Sequence, residues 1–403
     1  MLNPRLAALT DYPFRRLDAL IAGAEPPDGI TRLMMSLGEP QGGAPALIAE
    51  IVAAEAAGFG KYPAVAGTPD LRRAIAAWAT RRYGLPDGFL DPETSVLAAA
   101  GTREALFATL QAVTPEVKDG ARPVVLMPNP FYQVYAGGAV MAGAEPVFVP
   151  ATAETGFQPD LAAVSPDLWR RASAAIVCSP ANPQGTVLSE AAMLDLIRLA
   201  RAHDAVLIAD ECYSEIWVET PPPGLLEVAA KHGLGLDNLL VMNSLSKRSG
   251  APGLRAGFIA GDPKLIAGLL RMRTYSTGFL SPPLMAAATA LWADEAHVEI
   301  NRARYRASMA AAERILGPAF GWTMPAGGFF AWADVGDGEA AARRLWTEAG
   351  VKVLPGAYLS REGDPAHGFA PDNPGARYVR IALVHAPDVV EEGLTRIART
   401  LAG

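Results

Sequence analysis

Short apolar runs alternate along the chain with segments whose apolar residues recur at helical spacing. Segments such as 104–113 and 190–203 place their apolar side chains on one face of a helix. This alternation predicts βαβ units, and hence an α/β fold whose mostly parallel, mixed sheet lies between helices. The runs, rich in Val, Ile, Leu and Ala, predict strands at residues 96–99, 124–127, 146–149, 175–178, 206–209, 239–242 and 257–260.

Both ends of the chain depart from this pattern. Prolines interrupt the N-terminal part, and Ser281-Pro282-Pro283 precedes one long predicted helix over residues 284–316. Further strands are predicted at residues 327–332 and 378–384.

The change of pattern predicts two domains. The large domain, over residues 41–280, contains the alternating strands and helices. The small α+β domain is built jointly by residues 1–40 and 281–403.

Composition narrows the possible partners and location. The 403 residues are 50% hydrophobic and 19% charged, which excludes wholesale disorder. Thirty-five Lys and Arg against 42 Asp and Glu give a net charge of −7, which disfavours nucleic-acid partners. No run approaches the about 18 consecutive apolar residues of a membrane helix, so no membrane partner is expected. Two cysteines and an N-terminus unlike a signal peptide predict a cytoplasmic protein.

Several signatures of catalytic sites are missing from the sequence. It holds no GxxxxGK[ST], HExxH, CxxC or GxSxG motif, and no GxGxxG motif after a strand. The five histidines lack the spacing of metal ligands, so no metal site is predicted.

Four polar motifs follow predicted strand ends, where parallel sheets place their ligand sites. Taken singly, each has an ordinary structural explanation: a helix cap, a turn, a second cap, or a lysine near a glycine-rich turn. The first also offers an anion site, because the N–H groups in the first turn of a helix are free. The motifs are Gly101-Thr102-Arg103-Glu104, Asn182-Pro183-Gln184-Gly185, Asp210-Glu211-Cys212-Tyr213, and Ser244-Leu245-Ser246-Lys247 followed by Arg255.

In order and spacing, these motifs resemble those of the fold-type I pyridoxal 5′-phosphate enzymes, specifically the class I and II aminotransferases. The resemblance runs from Ser36-Leu37-Gly38-Glu39-Pro40 through Tyr62-Pro63 to Arg380. It implies a fold-type I architecture, pyridoxal 5′-phosphate as cofactor, and small-molecule substrates, an amino acid and a 2-oxo acid.

The resemblance also implies roles for the residues around the cofactor ring. Lys247 corresponds to the lysine that carries the cofactor and then shuttles a proton at the substrate. Asp210 corresponds to the partner of the pyridinium nitrogen, which keeps the ring able to accept electrons. Asn182 and Tyr213 would hydrogen-bond the ring oxygen O3′, and Tyr132 would stack on the ring face.

The same resemblance implies the contacts of the substrate and the phosphate. Arg380 would clamp the substrate α-carboxylate, with Gly38 and Asn182 beside it. Tyr62 resembles the family tyrosine that reaches the phosphate of the neighbouring subunit, which implies a homodimer. The phosphate donors would be the backbone N–H groups of Thr102 and Arg103 after Gly101, the Ser244 and Ser246 hydroxyls, and the Arg255 guanidinium.

Longer stretches resemble one subgroup, the N-succinyldiaminopimelate aminotransferases of bacterial lysine biosynthesis. They include residues 101–107, 126–132 and 210–215, and extend beyond the cofactor site. The implied reaction moves an amino group between glutamate and N-succinyl-2-amino-6-oxopimelate, giving 2-oxoglutarate and N-succinyl-LL-2,6-diaminopimelate. Both partners carry an extra carboxylate, which requires a second cation. The candidates are Arg15, Arg16, Arg248 and Arg273.

Other functions stay open at this point. Acetylornithine, aspartate and aromatic amino acids are alternative substrates of an aminotransferase. The fold also hosts β-lyases, decarboxylases and α-oxoamine synthases, although Arg380 favours transamination. A regulator's effector module would need a DNA-binding unit, for which the 35 residues before Ser36 are too few. A catalytically inactive binding protein is the last alternative.

Overall fold

The computed structural model describes residues 2–276 and 278–402, which form sheets covered by helices. The strands are β1 (Leu33–Met34), β2 (Val96–Ala99), β3 (Val124–Asn129), β4 (Glu145–Pro150), β5 (Ala172–Cys178), β6 (Val206–Asp210), β7 (Leu239–Ser244), β8 (Gly257–Gly261), β9 (Phe330–Asp334), β10 (Val351–Lys352), β11 (Leu354–Pro355) and β12 (Tyr378–Ala382). The α-helices are α1 (Pro13–Leu20), α2 (Leu47–Ala54), α3 (Pro69–Tyr83), α4 (Thr102–Val113), α5 (Gln133–Ala142), α6 (Pro166–Arg171), α7 (Glu190–Ala202), α8 (Leu225–Lys231), α9 (Leu245–Arg248), α10 (Pro263–Arg273), α11 (Pro282–Ala293), α12 (Ala296–Phe320), α13 (Gly338–Ala349) and α14 (Pro387–Ala402).

The largest sheet has the strand order β2-β8-β7-β6-β5-β3-β4. β8 runs antiparallel to both of its neighbours, and the other pairs are parallel. A strand such as β7 is buried at every position, because helices cover both faces of the sheet. Val241 packs into one apolar cluster, whereas Leu240 and Met242 pack into another. The predicted α/β fold with a mostly parallel, mixed sheet is therefore confirmed.

The single helix predicted over residues 284–316 is wrong, because α11 and α12 are separate helices. Asp294 lies between them with an extended backbone, φ −96° and ψ 130°. Its carboxylate accepts the N–H groups of Ala296 at 3.4 Å and His297 at 3.3 Å. These acceptors satisfy the first free donors of α12, so the aspartate starts a new helix. No helix in residues 2–276 or 278–402 is both long and apolar enough to cross a membrane.

Two smaller sheets lie in the parts of the chain outside the alternating region. β11, β12 and β9 form an antiparallel sheet, and β1 pairs with β10 in parallel. A separate apolar cluster joins the two ends of the chain, with Leu33 and Met35 packed among Leu345, Ile381 and Leu394. The division into two domains at residues 40 and 280 stays a prediction.

Candidate active site

The polar motifs that follow β5, β6 and β7 meet the start of α4 at one edge of the sheet. They border a cavity of about 520 Å³. The edge is the carboxyl end of the parallel strands, where open α/β sheets place their ligands. The predicted site residues that line this cavity are Gly38, Thr102, Arg103, Tyr132, Asn182, Asp210, Tyr213, Ser244, Ser246, Lys247, Arg255 and Arg380.

Lys247 lies on the single turn of α9, and its amine points into the cavity. Nζ donates to the Gly38 carbonyl oxygen at 2.5 Å. A side chain at position 38 would collide with the Phe330 ring, so the close approach requires glycine. Burial lowers the pKa of Lys247 to about 8, and the positive charges of Arg380 and Arg255 lower it too. The amine is therefore closer to its nucleophilic form than an ordinary lysine.

Asp210 ends β6 as a buried carboxylate that faces the cavity. Oδ2 accepts the Tyr135 hydroxyl at 2.7 Å, and Oδ1 accepts the Cys212 N–H at 3.2 Å. Burial raises the pKa of Asp210, while these two hydrogen bonds lower it. A carboxylate in this setting is suited to a cationic partner in the cavity.

Tyr135 is a residue that sequence reasoning missed, because its position fits an ordinary core aromatic equally well. The available signal was its spacing from Tyr132. Tyr132 precedes the first residue of α5, so residues 132 and 135 lie on one face. Both side chains meet beside Asp210, with ring centroids 5.7 Å apart.

The start of α4, the start of α9 and the turn that follows α9 form a cradle for an anion. α4 begins at Thr102, and Ser244 and Ser246 share a hydrogen bond of 3.0 Å between their hydroxyl oxygens. Arg255 adopts a left-handed backbone with φ 54°, and the Cβ of any residue replacing Gly101 would lie 2.6 Å from its Nη2. Such backbone strain is retained where the surrounding structure uses it. A helix N-terminus, two hydroxyls and a guanidinium together suit a phosphate group.

Arg380 lies in β12 and is 5% exposed. Nη1 donates to the Asn182 side-chain oxygen at 3.2 Å, and Nη2 to the Ser36 carbonyl at 2.8 Å. Nε is buried and has no hydrogen-bond partner among the described residues. Burial lowers the pKa of Arg380 to about 10, so it stays protonated at neutral pH. The buried, incompletely paired guanidinium suits a carboxylate ligand.

Comparison with known proteins decides the family. Residues 33–397 match the sequence model of the family described as aminotransferase class I and II. The chain belongs to this family. It is therefore an aminotransferase of fold-type I, and members of this family use pyridoxal 5′-phosphate.

Individual relatives agree with this membership. The chain is 34% identical to the 4-dedimethylamino-4-oxo-anhydrotetracycline transaminase OxyQ of Streptomyces rimosus, over 92% of this chain and 94% of that protein. It is 33% identical to the LL-diaminopimelate aminotransferase of Desulforudis audaxviator, over 89% of this chain and 91% of that protein. Its structure is similar to that of an aminotransferase from Neisseria meningitidis, with a TM-score of 0.93 and 37% sequence identity. The match covers 99% of this chain and 100% of that one.

The cavity of this aminotransferase fits the family cofactor in three separate features. The anion cradle matches the phosphate, Asp210 matches a protonated ring nitrogen, and Lys247 offers an amine of lowered pKa. The cradle, the Asp210 carboxylate and the Lys247 amine all border the same cavity.

The lowered pKa of Lys247 predicts how cofactor uptake depends on pH. Only the neutral amine attacks an aldehyde, and half of it is neutral at about pH 8. We expect the rate of cofactor uptake by the apoenzyme to rise about ten-fold per pH unit below pH 8 and to level off above it. Stopped-flow absorbance measures this rate. A rate that still rises about ten-fold between pH 8 and pH 9, as for a lysine of ordinary pKa, would contradict the lowered pKa.

Arg103 was predicted to act through its backbone N–H, but its side chain also borders the cavity. Nε donates to the Tyr132 hydroxyl at 2.8 Å, and Nη2 to the Tyr12 hydroxyl at 3.0 Å. The two tyrosines hold the guanidinium beside the site. Sequence spacing gave no sign of the contact with Tyr12, which lies 91 positions away.

Two predicted cofactor residues lie outside the cavity lining. Gly101 lies under the Arg255 guanidinium, where it leaves room for that side chain. Tyr62 is fully exposed on the surface.

The structure also separates the candidates for the second cation. Arg248 and Arg273 cannot serve, because both are buried and ion-paired, with Glu295 and Glu104 respectively. Arg15 is exposed on α1. Arg16 stacks 4.0 Å above the Tyr358 ring and lines a neighbouring cavity. None of these four arginines lines the cavity, whereas Arg103, which was not among the candidates for this role, does.

Proposed function

We propose that this aminotransferase is a succinyldiaminopimelate transaminase. It moves an amino group between glutamate and N-succinyl-2-amino-6-oxopimelate, giving 2-oxoglutarate and N-succinyl-LL-2,6-diaminopimelate for lysine biosynthesis. The observation that carries the proposal is the pairing of two arginines, Arg380 and Arg103, on the lining of the cavity that contains Lys247. Both substrates carry a second carboxylate in addition to the one at the reacting carbon.

In this proposal Lys247, Asp210 and Arg380 do the chemistry together. When bound, pyridoxal 5′-phosphate supplies an electron sink for the charge that develops at the substrate Cα. Lys247 would accept the proton from the substrate Cα as a general base and would later give a proton back as a general acid. Asp210 holds the ring nitrogen protonated, since a buried carboxylate favours a proton on its partner. Arg380 binds the α-carboxylate and thereby orients the Cα–H bond.

The remaining residues bind the phosphate and the ring of the cofactor and so fix its position. The Thr102 and Arg103 N–H groups, the Ser244 and Ser246 hydroxyls and Arg255 bind the phosphate. Tyr132 covers one ring face, while Asn182 and Tyr213 bind the ring oxygen. The hydrogen bond from Arg380 to Asn182 supports this assignment, because it links the carboxylate clamp to the ring contact.

The distal carboxylate of the substrate binds Arg103. The charged lining residues are Glu39, Arg103, Asp210, Lys247, Arg255 and Arg380. Arg255 is committed to the phosphate, and Arg380 to the α-carboxylate. Arg103 is the guanidinium left to bind a second carboxylate, and its contacts with Tyr12 and Tyr132 fix its direction.

LL-diaminopimelate is the second candidate substrate. The relative from Desulforudis audaxviator carries that name, and Glu39 lines the same cavity. A free distal ammonium needs an acidic partner such as Glu39, whereas the succinylated nitrogen is a neutral amide.

A substrate panel with glutamate as donor tests the proposal. We expect kcat/KM for N-succinyl-2-amino-6-oxopimelate to exceed those for oxaloacetate, N-acetylglutamate semialdehyde and aromatic 2-oxo acids by at least about 100-fold. Arg103→Leu should raise KM for the succinylated substrate about 10- to 100-fold, because a charge-assisted contact is lost. Arg16→Leu is the control and should leave KM unchanged. Preference for an aromatic, acetylornithine-type or unsuccinylated diaminopimelate substrate would contradict the proposal, and release of pyruvate and ammonia would indicate a β-lyase.

A homodimer is part of the proposal, with Tyr62 completing the phosphate site of the neighbouring subunit. Tyr62 is fully exposed, and Phe59 is also largely exposed. Exposed aromatic side chains in one segment favour a subunit interface.

Mixing two inactive variants tests this arrangement. If Tyr62 acts across the interface, Tyr62→Ala mixed with Lys247→Ala gives hybrid dimers with one unchanged site. The mixture should then regain up to about a quarter of the native activity. Each variant incubated alone under the same conditions is the control. Activity no greater than the sum of the two separate variants would contradict the shared site.

The proposal places the enzyme in the cytoplasm. Cys178 and Cys212 are both free thiols, which is typical of a reducing compartment.

A further inference from the structure

Three side chains next to the turn that carries Lys247 are linked by hydrogen bonds: those of Ser249, His297 and Asp294. Ser249 lies two residues after Lys247 and is 3% exposed. Its hydroxyl oxygen is 2.8 Å from Nε2 of His297, at the start of α12. Nδ1 of His297 contacts the carboxylate of Asp294, which also accepts the His297 backbone N–H. None of the three residues is among those that line the active-site cavity.

The Asp294 carboxylate determines how this chain is protonated. A carboxylate accepts, so Nδ1 carries the proton, and Nε2 of the neutral ring accepts the Ser249 hydroxyl proton. Burial lowers the pKa of His297, and the positive charge of Arg248 lowers it as well, while Asp294 and Glu295 oppose these effects. The ring is therefore neutral at neutral pH, and the hydrogen bond from Ser249 to His297 is formed.

Other residues tie the same turn to the same region. Asn301 Nδ2 donates to the carbonyl oxygens of Lys247 at 3.1 Å and Arg248 at 3.2 Å. The buried Arg248 donates to the Leu291 carbonyl at 2.7 Å and to the Glu295 carboxylate at 2.6 Å. The backbone around Lys247 is thus held from the end of α11 and the start of α12.

External support matters here because α9 is a single turn of four residues. Because a helix this short is not stable by itself, its orientation depends on tertiary contacts. A general base must reach the substrate proton within hydrogen-bond distance, so a small rotation of this turn misplaces the amine.

We propose that His297, held between Asp294 and Ser249, is a positioning residue that fixes the turn carrying Lys247 for proton transfer. The inference rests on the proposed role of Lys247. His297 does not touch the substrate, and it acts through Ser249 on the orientation of the lysine.

The Ser249→Ala and His297→Ala variants test this role by kinetics. Each substitution breaks the hydrogen bond between Ser249 and His297, and we expect kcat with glutamate to fall about ten-fold. KM should change by less than about two-fold, because Arg380 and not this turn binds the substrate carboxylate. His297→Gln offers Ser249 an amide acceptor and should restore most of kcat. The control is His232→Ala, which removes another histidine paired with a carboxylate, that of Glu190.

Two further readouts distinguish positioning from general destabilisation. The pH midpoint of the bound cofactor's absorbance should shift by about half a unit in both alanine variants, because it reports the surroundings of the lysine. The Ser249→Ala/His297→Ala double variant should be no slower than either single variant, because one bond is lost in each case. Thermal unfolding identifies a variant that does not fold. If His297→Ala does not fold, Ser249→Ala, which removes only one oxygen atom, tests the positioning role by itself.

Two results would overturn the inference: unchanged kcat and absorbance midpoint in the single variants, or losses that multiply in the double variant. If Lys247→Ala is inactive while the His297 variants are fully active, the positioning role of His297 is contradicted and the proposed role of Lys247 stands. An active Lys247→Ala would remove the proposed role of Lys247 as well.

Discussion

The Lys247→Ala variant is expected to have a kcat at least about four orders of magnitude below that of the unchanged enzyme. The substitution removes both the amine that binds the cofactor and the base that moves the substrate proton. The amine is part-buried against the Gly38 carbonyl, and no other lysine among the described residues lines the cavity to take its place. Steady-state transamination with glutamate as donor measures the loss.

Lys264→Ala is the matched control for this prediction. Lys264 is an exposed lysine on α10, and its removal should leave kcat within about two-fold. Borohydride reduction adds a second readout, because it fixes the cofactor covalently only where a lysine carries it. Covalent fixation and substantial activity in Lys247→Ala would assign the role to another lysine.

The Arg380→Ala variant should lose about 100- to 1,000-fold in kcat/KM for glutamate, equivalent to about 3–4 kcal/mol. The guanidinium is buried, so an α-carboxylate that enters beside alanine is left without a partner. Arg380→Lys should recover little, because a lysine cannot reproduce the planar two-point contact.

Arg377→Ala is the control on the same segment. Arg377 pairs with Asp334 on the surface at 3.0 Å, and its loss should leave kcat/KM nearly unchanged. Initial-rate kinetics over a range of glutamate concentrations separate KM from kcat in both variants. An Arg380→Ala enzyme with native kcat/KM would show that the carboxylate binds elsewhere.

The strands were predictable because both faces of the large sheet are covered. A strand such as β6 is buried at every position and therefore reads as a continuous apolar run. Its polar end at Asp210 then marks the edge where ligands bind. The break between α11 and α12 was not predicted, because Asp294 resembles any other polar residue in a helical pattern until its capping bonds are seen.

The motifs directly after the strands could be brought together from sequence, whereas the contacts that support them could not. Asp210 and Lys247 stand at strand ends, so topology alone places them near one another. Tyr135 and Arg103 make their side-chain contacts at the site across 75 and 29 positions, and His297 contacts Ser249, behind the turn that carries Lys247, across 48 positions. Such contacts depend on helix packing and rotamers, which a single sequence does not reveal.

Titration of the cofactor-loaded enzyme with glutamate alone tests the central claim most directly. In a transaminase, the first half-reaction runs without an acceptor, and glutamate leaves its amino group on the enzyme. We predict that the visible absorbance of the bound cofactor bleaches as one 2-oxoglutarate forms per active site, and that N-succinyl-2-amino-6-oxopimelate then restores it. Unchanged absorbance with glutamate, or release of ammonia in place of 2-oxoglutarate, would contradict the account.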